Sequence, residues 1–176
     1  MALDLKLDDF KKAVGRGTRP NRYEVTMKIP SGGNDGGYEM TAEVSALALP
    51  DATVGVIGVP FRGRVLKLPG DRRYSSWGFT VYDTTEKGNL WKALHDWSEV
   101  LNSHEENKSP FEYGESDSTA TWTIKHYDLN GDDVIKQIQL INCWPSSVSS
   151  FDLAYGSMDS LSQFSCQVEY EYYKVL

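Results

Sequence analysis

Arg22-Tyr23-Glu24-Val25-Thr26-Met27-Lys28-Ile29, the spacer Ser31-Gly32-Gly33-Asn34-Asp35-Gly36-Gly37 and the return Tyr38-Glu39-Met40-Thr41-Ala42-Glu43-Val44-Ser45-Ala46-Leu47 decide the fold. Tyr23, Val25, Met27 and Ile29 alternate with Arg22, Glu24, Thr26 and Lys28, the period of two that marks a half-buried strand. Beyond the Gly-rich spacer, Tyr38, Met40, Ala42 and Val44 alternate with Glu39, Thr41, Glu43 and Ser45. The pattern predicts an antiparallel hairpin with one apolar and one polar face.

Working outward, the same logic places the other elements. Leu3, Leu7, Phe10 and Val14 fall at helical spacing and predict a short amphipathic helix that stops at Gly15 and Gly17. Leu49-Pro50-Asp51 ends the first hairpin, and a linker leads into Val54–Val59. A strand is expected around Trp77–Tyr82, then a helix over about residues 86–102. Either Asp83–Glu86 or Gly88-Asn89 could cap that helix, and Leu90, Leu94, Trp97 and Leu101 form its buried stripe. Residues 102–118 read as a polar, acidic loop. Asn130-Gly131 marks a hairpin between Thr119–Tyr127 and Val134–Asn142, closed by Trp144-Pro145-Ser146. A short strand near Val148–Tyr155 and a last strand, Gln163–Tyr173, complete the chain. The fold expected is mainly β: an antiparallel β-sandwich or partly open barrel with one central α-helix and a short N-terminal helix. It forms a single domain over residues 1–176, with an arm at 1–18 and the β-sandwich core at 19–176.

The 12% aromatic content rules out a disordered chain. The formal net charge of −7 argues against a protein that grips nucleic acid by neutralising phosphates. Against that balance, Pro60–Val81 holds five Arg or Lys and a single Asp, punctuated by Gly63, Pro69 and Gly70 and anchored by Phe61, Tyr74, Trp77 and Phe79. Charge held by strands in this way predicts a surface built to meet a partner. The first residues have no continuous apolar core, and no window approaches a membrane span of about 20 apolar residues. A soluble product, made in the cytoplasm, is expected.

The candidate chemistry thins out on inspection. Cys143 and Cys166 are too few for a disulfide framework and read as buried thiols. His95, His104 and His126 lack partners at metal-ligand spacing and read as satisfied or exposed. The acidic run Asp128–Asp133 fails as a calcium loop, because Gly131 is fourth and Gln139 twelfth. Gly15-x-Gly17 and Gly32-Gly33 do not open a helix after a strand, and no Gly-x-Ser-x-Gly occurs. Trp77, Trp91, Trp97, Trp122 and Trp144 read as core. No catalytic set, no metal site and no cofactor are expected.

A family likeness runs through the chain in order. Asn21-Arg22-Tyr23-Glu24-Val25, Ala46-Leu47-Ala48-Leu49-Pro50, Pro60-Phe61-Arg62-Gly63-Arg64 and Pro69-Gly70-Asp71-Arg72 with Trp77 resemble the tail tube proteins of contractile-tailed bacteriophages. Leu90-Trp91, Asp96-Trp97 and Cys143-Trp144-Pro145-Ser146 continue the series, so that the likeness covers about Arg19 to Tyr173. Ser31–Gly37 and Ser103–Ser118 depart from it. The resemblance implies a structural virion protein assembled in the host bacterial cytoplasm, forming homo-hexameric rings stacked into the inner tube of a contractile tail. Implied partners are other copies of the chain, the sheath, the baseplate, the tail terminator and, in the bore, the tape measure protein. DNA passes through the bore during ejection without specific binding. A sheet of each subunit would line the lumen, for which Glu39, Thr41, Glu43, Ser45, Gln167, Glu169 and Glu171 are the candidates, with Gln163 and Ser165. An acidic or neutral wall lets DNA slide where a basic one would hold it. Arg62, Arg64, Lys67, Arg72 and Arg73 are candidates for contacts between subunits, opposed by Glu105-Glu106 or Glu112–Asp117. A tube-initiating baseplate protein and a tube of a type VI secretion or extracellular injection system share that fold. A monomeric β-sandwich that binds a small ligand is the alternative of another class.

Overall fold

The computed structural model describes residues 7–15, 17–30, 38–84, 89–109, 118–151 and 153–176. The opening hairpin forms as its alternation requires. Strand β1 (Tyr23–Ile29) buries Val25, Met27 and Ile29 and pairs with β2 (Tyr38–Ala42) in the register Met27 with Met40. The return strand does not continue to Leu47 in one sheet. It breaks at Glu43, and β3 (Val44–Leu47) leaves β1 to pair with β6 (Trp77–Tyr82). A period-two pattern survives such a bend, because inward residues stay inward on both sides of it.

The same crossing recurs twice. β7 (Ala120–Tyr127) pairs with β8 (Val134–Val148), which runs on through Trp144-Pro145-Ser146, where the sequence predicts a stop. Its first part belongs to the layer with β7, and residues 144–148 pair with β9 (Gln163–Glu169) in the second layer. A bulge between Pro145 and Ser147 accommodates the proline, which has no ladder N–H to give. The expected last strand likewise splits into β9 and β10 (Tyr172–Val175). Both keep one register along the same edge of β8, Trp144 opposite Glu169 and Ile141 opposite Tyr172. At that corner the Glu171 amide donates to the Ile141 carbonyl at 3.1 Å and the Asn142 side chain donates to the Glu171 carboxylate at 2.6 Å. The strand expected near Val148–Tyr155 is absent among the described residues; β8 ends at Val148.

The outcome is two antiparallel layers, β2-β1-β7-β8 with β10 and β8-β9-β6-β3, joined through β8 and through the β2–β3 corner. Between them, Trp122 of the first layer meets Trp77 and Phe79 of the second, with ring centroids at 6.4 and 5.8 Å. Helix α2 (Leu90–Leu101) adds Leu90, Leu94 and Trp97 to this core, and Trp97 lies 6.0 Å from Trp122. Asn89 caps it, its side chain accepting from the Lys92 amide at 3.0 Å, which decides between the two capping alternatives. Buried indoles need partners. Trp77, Trp97 and Trp122 donate to the carbonyls of Ala48, Ser118 and Lys28 at 2.6, 3.0 and 2.8 Å. Trp144, expected in the core, is instead 39% exposed, because it sits where β8 turns between layers.

Helix α1 (Leu7–Gly15) lies within the expected Leu3–Val14 segment, whose first residues fall outside the described ones. Its stripe of Leu7, Phe10 and Val14 is exposed. The spacer Ser31–Gly37 and the stretch Glu112–Asp117 also lie outside the described residues. No described helix is long and apolar enough to cross a membrane.

Candidate assembly surfaces

One element stands apart from the two layers. β4 (Ala52–Phe61) and β5 (Arg64–Tyr74) pair only with each other, and no residue of either belongs to the buried core. The turn is local chemistry: Arg62 and Gly63 have φ of 45° and 80°, the two positive values that a two-residue turn of matching twist needs. Nearer the root the register shifts between Val54 and Val56, with Gly55 packed against Gly70 and Asp71. A Cβ on Gly70 would come within 3.2 Å of the Gly55 backbone, so this close approach favours glycine. The root is held by aromatics. Tyr74, opposite Ala52, lies edge-on to Tyr170 and Tyr173 at 6.0 and 5.6 Å, at the β9–β10 corner.

Alternation sorts the hairpin's side chains onto two faces. Ile57, Val59 and Phe61 share one with Leu66 and Leu68, ending at Arg64; Val56, Pro60, Val65 and Pro69 share the other with Lys67. Eight large apolar residues of this ribbon are between 41% and 68% exposed. A two-stranded ribbon is marginal in water on its own, and so extensive an apolar surface marks an interaction site. The candidate basic residues decorate it. Arg62 is at the turn with its guanidinium 5.5 Å over the Phe61 ring, Arg64 and Lys67 lie on opposite faces, and Arg72 and Arg73 stand near the root opposite Val54 and Thr53. The hairpin therefore gathers all five cations, but not on one face. Sequence reasoning singled out its charge and missed its apolar ribbon. The signal was there in Val54-Gly55-Val56-Ile57-Gly58-Val59, apolar in both phases of the alternation, as for a strand covered on both faces.

The candidate lumen residues do not share a face either. Ser45 on β3 and Gln167 on β9 lie on the outer side of the second layer, with Thr80, Gln163 and Ser165. There the Ser45 hydroxyl donates to the Thr80 carbonyl at 3.2 Å, and the Thr80 and Ser165 hydroxyls are 3.3 Å apart. Glu43 stands at the β2–β3 corner and Glu169 at the end of β9. Glu39 and Thr41 lie on the outer side of the first layer, opposite Lys28 and Thr26, and Glu171 belongs to the β9–β10 corner. The two outer sides differ in charge. β3, β6, β9 and residues 144–148 of β8 contain no Lys or Arg, whereas the first layer's outer side carries Lys28, Lys125 and Lys174.

The remaining candidates stay structural. Asp128 accepts from the amides of Asn130, Gly131 and Asp132 at 3.1, 2.6 and 3.1 Å. Desolvation raises its pKa, but those amides outweigh this and hold it below the usual carboxylate value. The would-be calcium loop is thus a turn, and no cluster of three metal-ligating side chains occurs among the described residues. Cys143 and Cys166 are buried, and burial raises both thiols, Cys166 to about 12. His104 lies 3.2 Å from Glu99 and His126 Nε2 lies 2.8 Å from the Arg19 carbonyl oxygen. His95 packs at a tilt against Trp91, ring centroids 4.1 Å apart, and its buried Nε2 has no hydrogen-bond partner among the described residues, a departure from the satisfied or exposed histidine expected.

The family model for the phage tail tube protein matches residues 18–176. The chain belongs to the phage tail tube protein family. Membership sets it among structural tube proteins rather than enzymes. It is 30% identical over 174 residues to the tail tube protein of Serratia phage KSP90, covering 93% of each chain. It is 25% identical over 173 residues to tail tube protein gp19 of Enterobacteria phage T4, covering 96% of this chain and 99% of that one. The same fold occurs in a chain of the sheath–tube complex of the extracellular contractile injection system PVC, with a TM-score of 0.62 at 14% identity over 95% of this chain and 96% of that one. It occurs also in a chain of the anti-feeding prophage baseplate, with a TM-score of 0.61 at 15% identity over 91% and 95%.

Proposed function

We propose that this tail tube family member closes into six-membered rings that stack into the hollow inner tube of a contractile tail, a conduit for DNA ejection. The observation that carries this is the β4–β5 hairpin, an apolar ribbon whose strands pair only with each other among the described residues. In a stack that ribbon is covered by a neighbouring copy. Ring closure then uses the free strand edges of the second layer, β3 on one side and Trp144–Val148 of β8 on the other, where lateral pairing removes an aggregation hazard.

The lumen wall in this reading is the outer side of the second layer. Ser45, Gln163, Ser165 and Gln167 form a surface free of Lys and Arg, bounded by Glu43 and Glu169. Such a wall gives phosphate no cation to bind, so DNA and a tape measure protein pass without being held. Glu39, Thr41 and Glu171 then lie off that wall. The sheath, baseplate and terminator are the remaining partners, and the virion tail, assembled in the bacterial cytoplasm, is the location. Negative-stain electron microscopy of the purified chain tests the proposal. Rings or hollow tubes are expected; compact monomers at high concentration would refute it and favour a monomeric binding module.

A further inference from the structure

Stacking is a head-to-tail contact, so the surface that receives the hairpin must differ from the hairpin itself. Two hairpins also repel, since each carries five cations and one carboxylate. Three other apolar surfaces are exposed among the described residues. One is the α1 stripe, and another is the end of β8 with β10, where Val134, Ile135, Val175 and Leu176 are exposed. The third is the connection between β8 and β9, where Leu153, Tyr155, Met158 and Leu161 project into solvent and the least exposed of them, Leu161, is 71% exposed.

Charge separates the three, and the β8–β10 end has Lys136 and Lys174 in its strands. Residues 7–19 hold four basic and two acidic side chains and repel a basic ribbon. Residues 149–162 hold Asp152 and Asp159 and no base. The connection is also short of internal support; its turn closes with the Ser157 amide on the Ala154 carbonyl at 3.2 Å, leaving the four apolar side chains outside. Met and Tyr are side chains suited to such a role, one adaptable and one broad with a polar tip.

Resting on the tube reading above, we infer that residues 153–161 are the dock for the β4–β5 hairpin of a second copy of this chain. The Ile57, Val59, Phe61, Leu66 and Leu68 face covers Leu153, Tyr155, Met158 and Leu161, and the hairpin's cations approach Asp159.

Cysteine trapping tests the dock, because a disulfide forms only where Cα atoms come within about 7 Å. Val59→Cys replaces a side chain of the apolar face with one of similar size, and Ser157→Cys lies between Tyr155 and Met158. The native Cys143 and Cys166 are buried and do not compete. The doubly substituted chain is assembled under reducing conditions, checked by microscopy, oxidised with copper phenanthroline and run on a non-reducing gel. A ladder of covalent multimers is expected, since every copy holds one donor and one acceptor. Val59→Cys with Val14→Cys on α1 should stay monomeric on the gel. Intact tubes with no ladder, or a ladder from the Val14 pair instead, overturn the dock and leave the tube reading standing. Absence of tubes from the unsubstituted chain defeats the tube reading and the dock with it. Should the double variant fail to assemble, the two single variants are mixed; cross-linked dimers support the dock, and none overturn it.

Discussion

Ile57→Asp with Leu66→Asp separates assembly from folding. Both side chains stand on the same face of the β4–β5 hairpin, and they are 53% and 56% exposed in the subunit. Full burial of a residue of this class contributes about 1.5–3 kcal/mol, so covering what remains exposed contributes about 1 kcal/mol each. Aspartate forfeits that and adds the cost of removing a carboxylate from water, several kcal/mol for an ion without a matched partner. Arg64 on the same face offsets part of this, leaving about 4 kcal/mol per contact as a conservative figure, or about a thousandfold in the association constant.

The monomer should not notice. Neither residue belongs to the core, and the hairpin meets the layers through Tyr74 at its root. The variant is expected to melt with the parent by circular dichroism while tubes vanish from micrographs and sedimentation profiles at concentrations where the parent is fully assembled. Tubes forming at the parental threshold would refute the argument. So would a large fall in melting temperature, since the hairpin would then be part of the folding core.

Three further outcomes follow from the same geometry. Arg72→Glu with Arg73→Glu should weaken tube assembly and leave the monomer folded, and an unchanged yield of sedimentable tubes would remove these two cations from the contact. Trp122→Ala, which empties a fully buried site shared with Trp77, Phe79 and Trp97 and orphans the Lys28 carbonyl, should cost about 3–5 kcal/mol in chemical denaturation, whereas Trp144→Ala should change monomer stability by under about 1 kcal/mol. Cys166 and Tyr170 are each raised to about 12 by burial foremost, above their unfolded values of 9.0 and 10.0, so the folded state binds their protons more tightly. That stability is present in full below about pH 9 and is lost as pH rises toward 12; denaturation midpoints that stay flat across this range would contradict it.

The layers were legible in the sequence because burial on one side of a strand writes a period of two. Val25, Met27 and Ile29, then Phe164, Cys166 and Val168, and Leu90, Leu94 and Trp97 of α2 are buried as their spacing selects, with Tyr23 and Leu101 partly so. The corners were not legible. Glu43, Asn142–Pro145 and Tyr170–Glu171 bend strands between layers without breaking the alternation, so three continuous patterns became strands that cross from one layer to the other. Trp144 was misread for the same reason, and the candidate lumen residues scattered over two faces because β2 and β3 look like one strand. The hairpin was half legible. Its cations were conspicuous against an acidic chain, but the apolar run beside them reads in any single sequence as buried core. Only the fold shows that its side chains are exposed among the described residues.

That half-legibility has a physical origin. A subunit of a stack has core residues of two kinds, those buried on folding and those buried on assembly, and sequence patterning treats them alike. Charge is what distinguishes them here. The hairpin holds five of the eighteen bases and one of the twenty-five acids, leaving thirteen bases and twenty-four acids elsewhere. An apolar ribbon with neutral flanks could pair with its own kind, edge to edge, and aggregate without limit in orientation. In the proposed stack, a cationic ribbon on an otherwise acidic body repels other ribbons and is drawn to the body of the next copy. At these separations in water each charge pair contributes little to affinity, but like-charge contacts are disfavoured, and that is enough to choose among orientations. Apolar area thus supplies the affinity and charge supplies the polarity, which is the combination a directional stack requires.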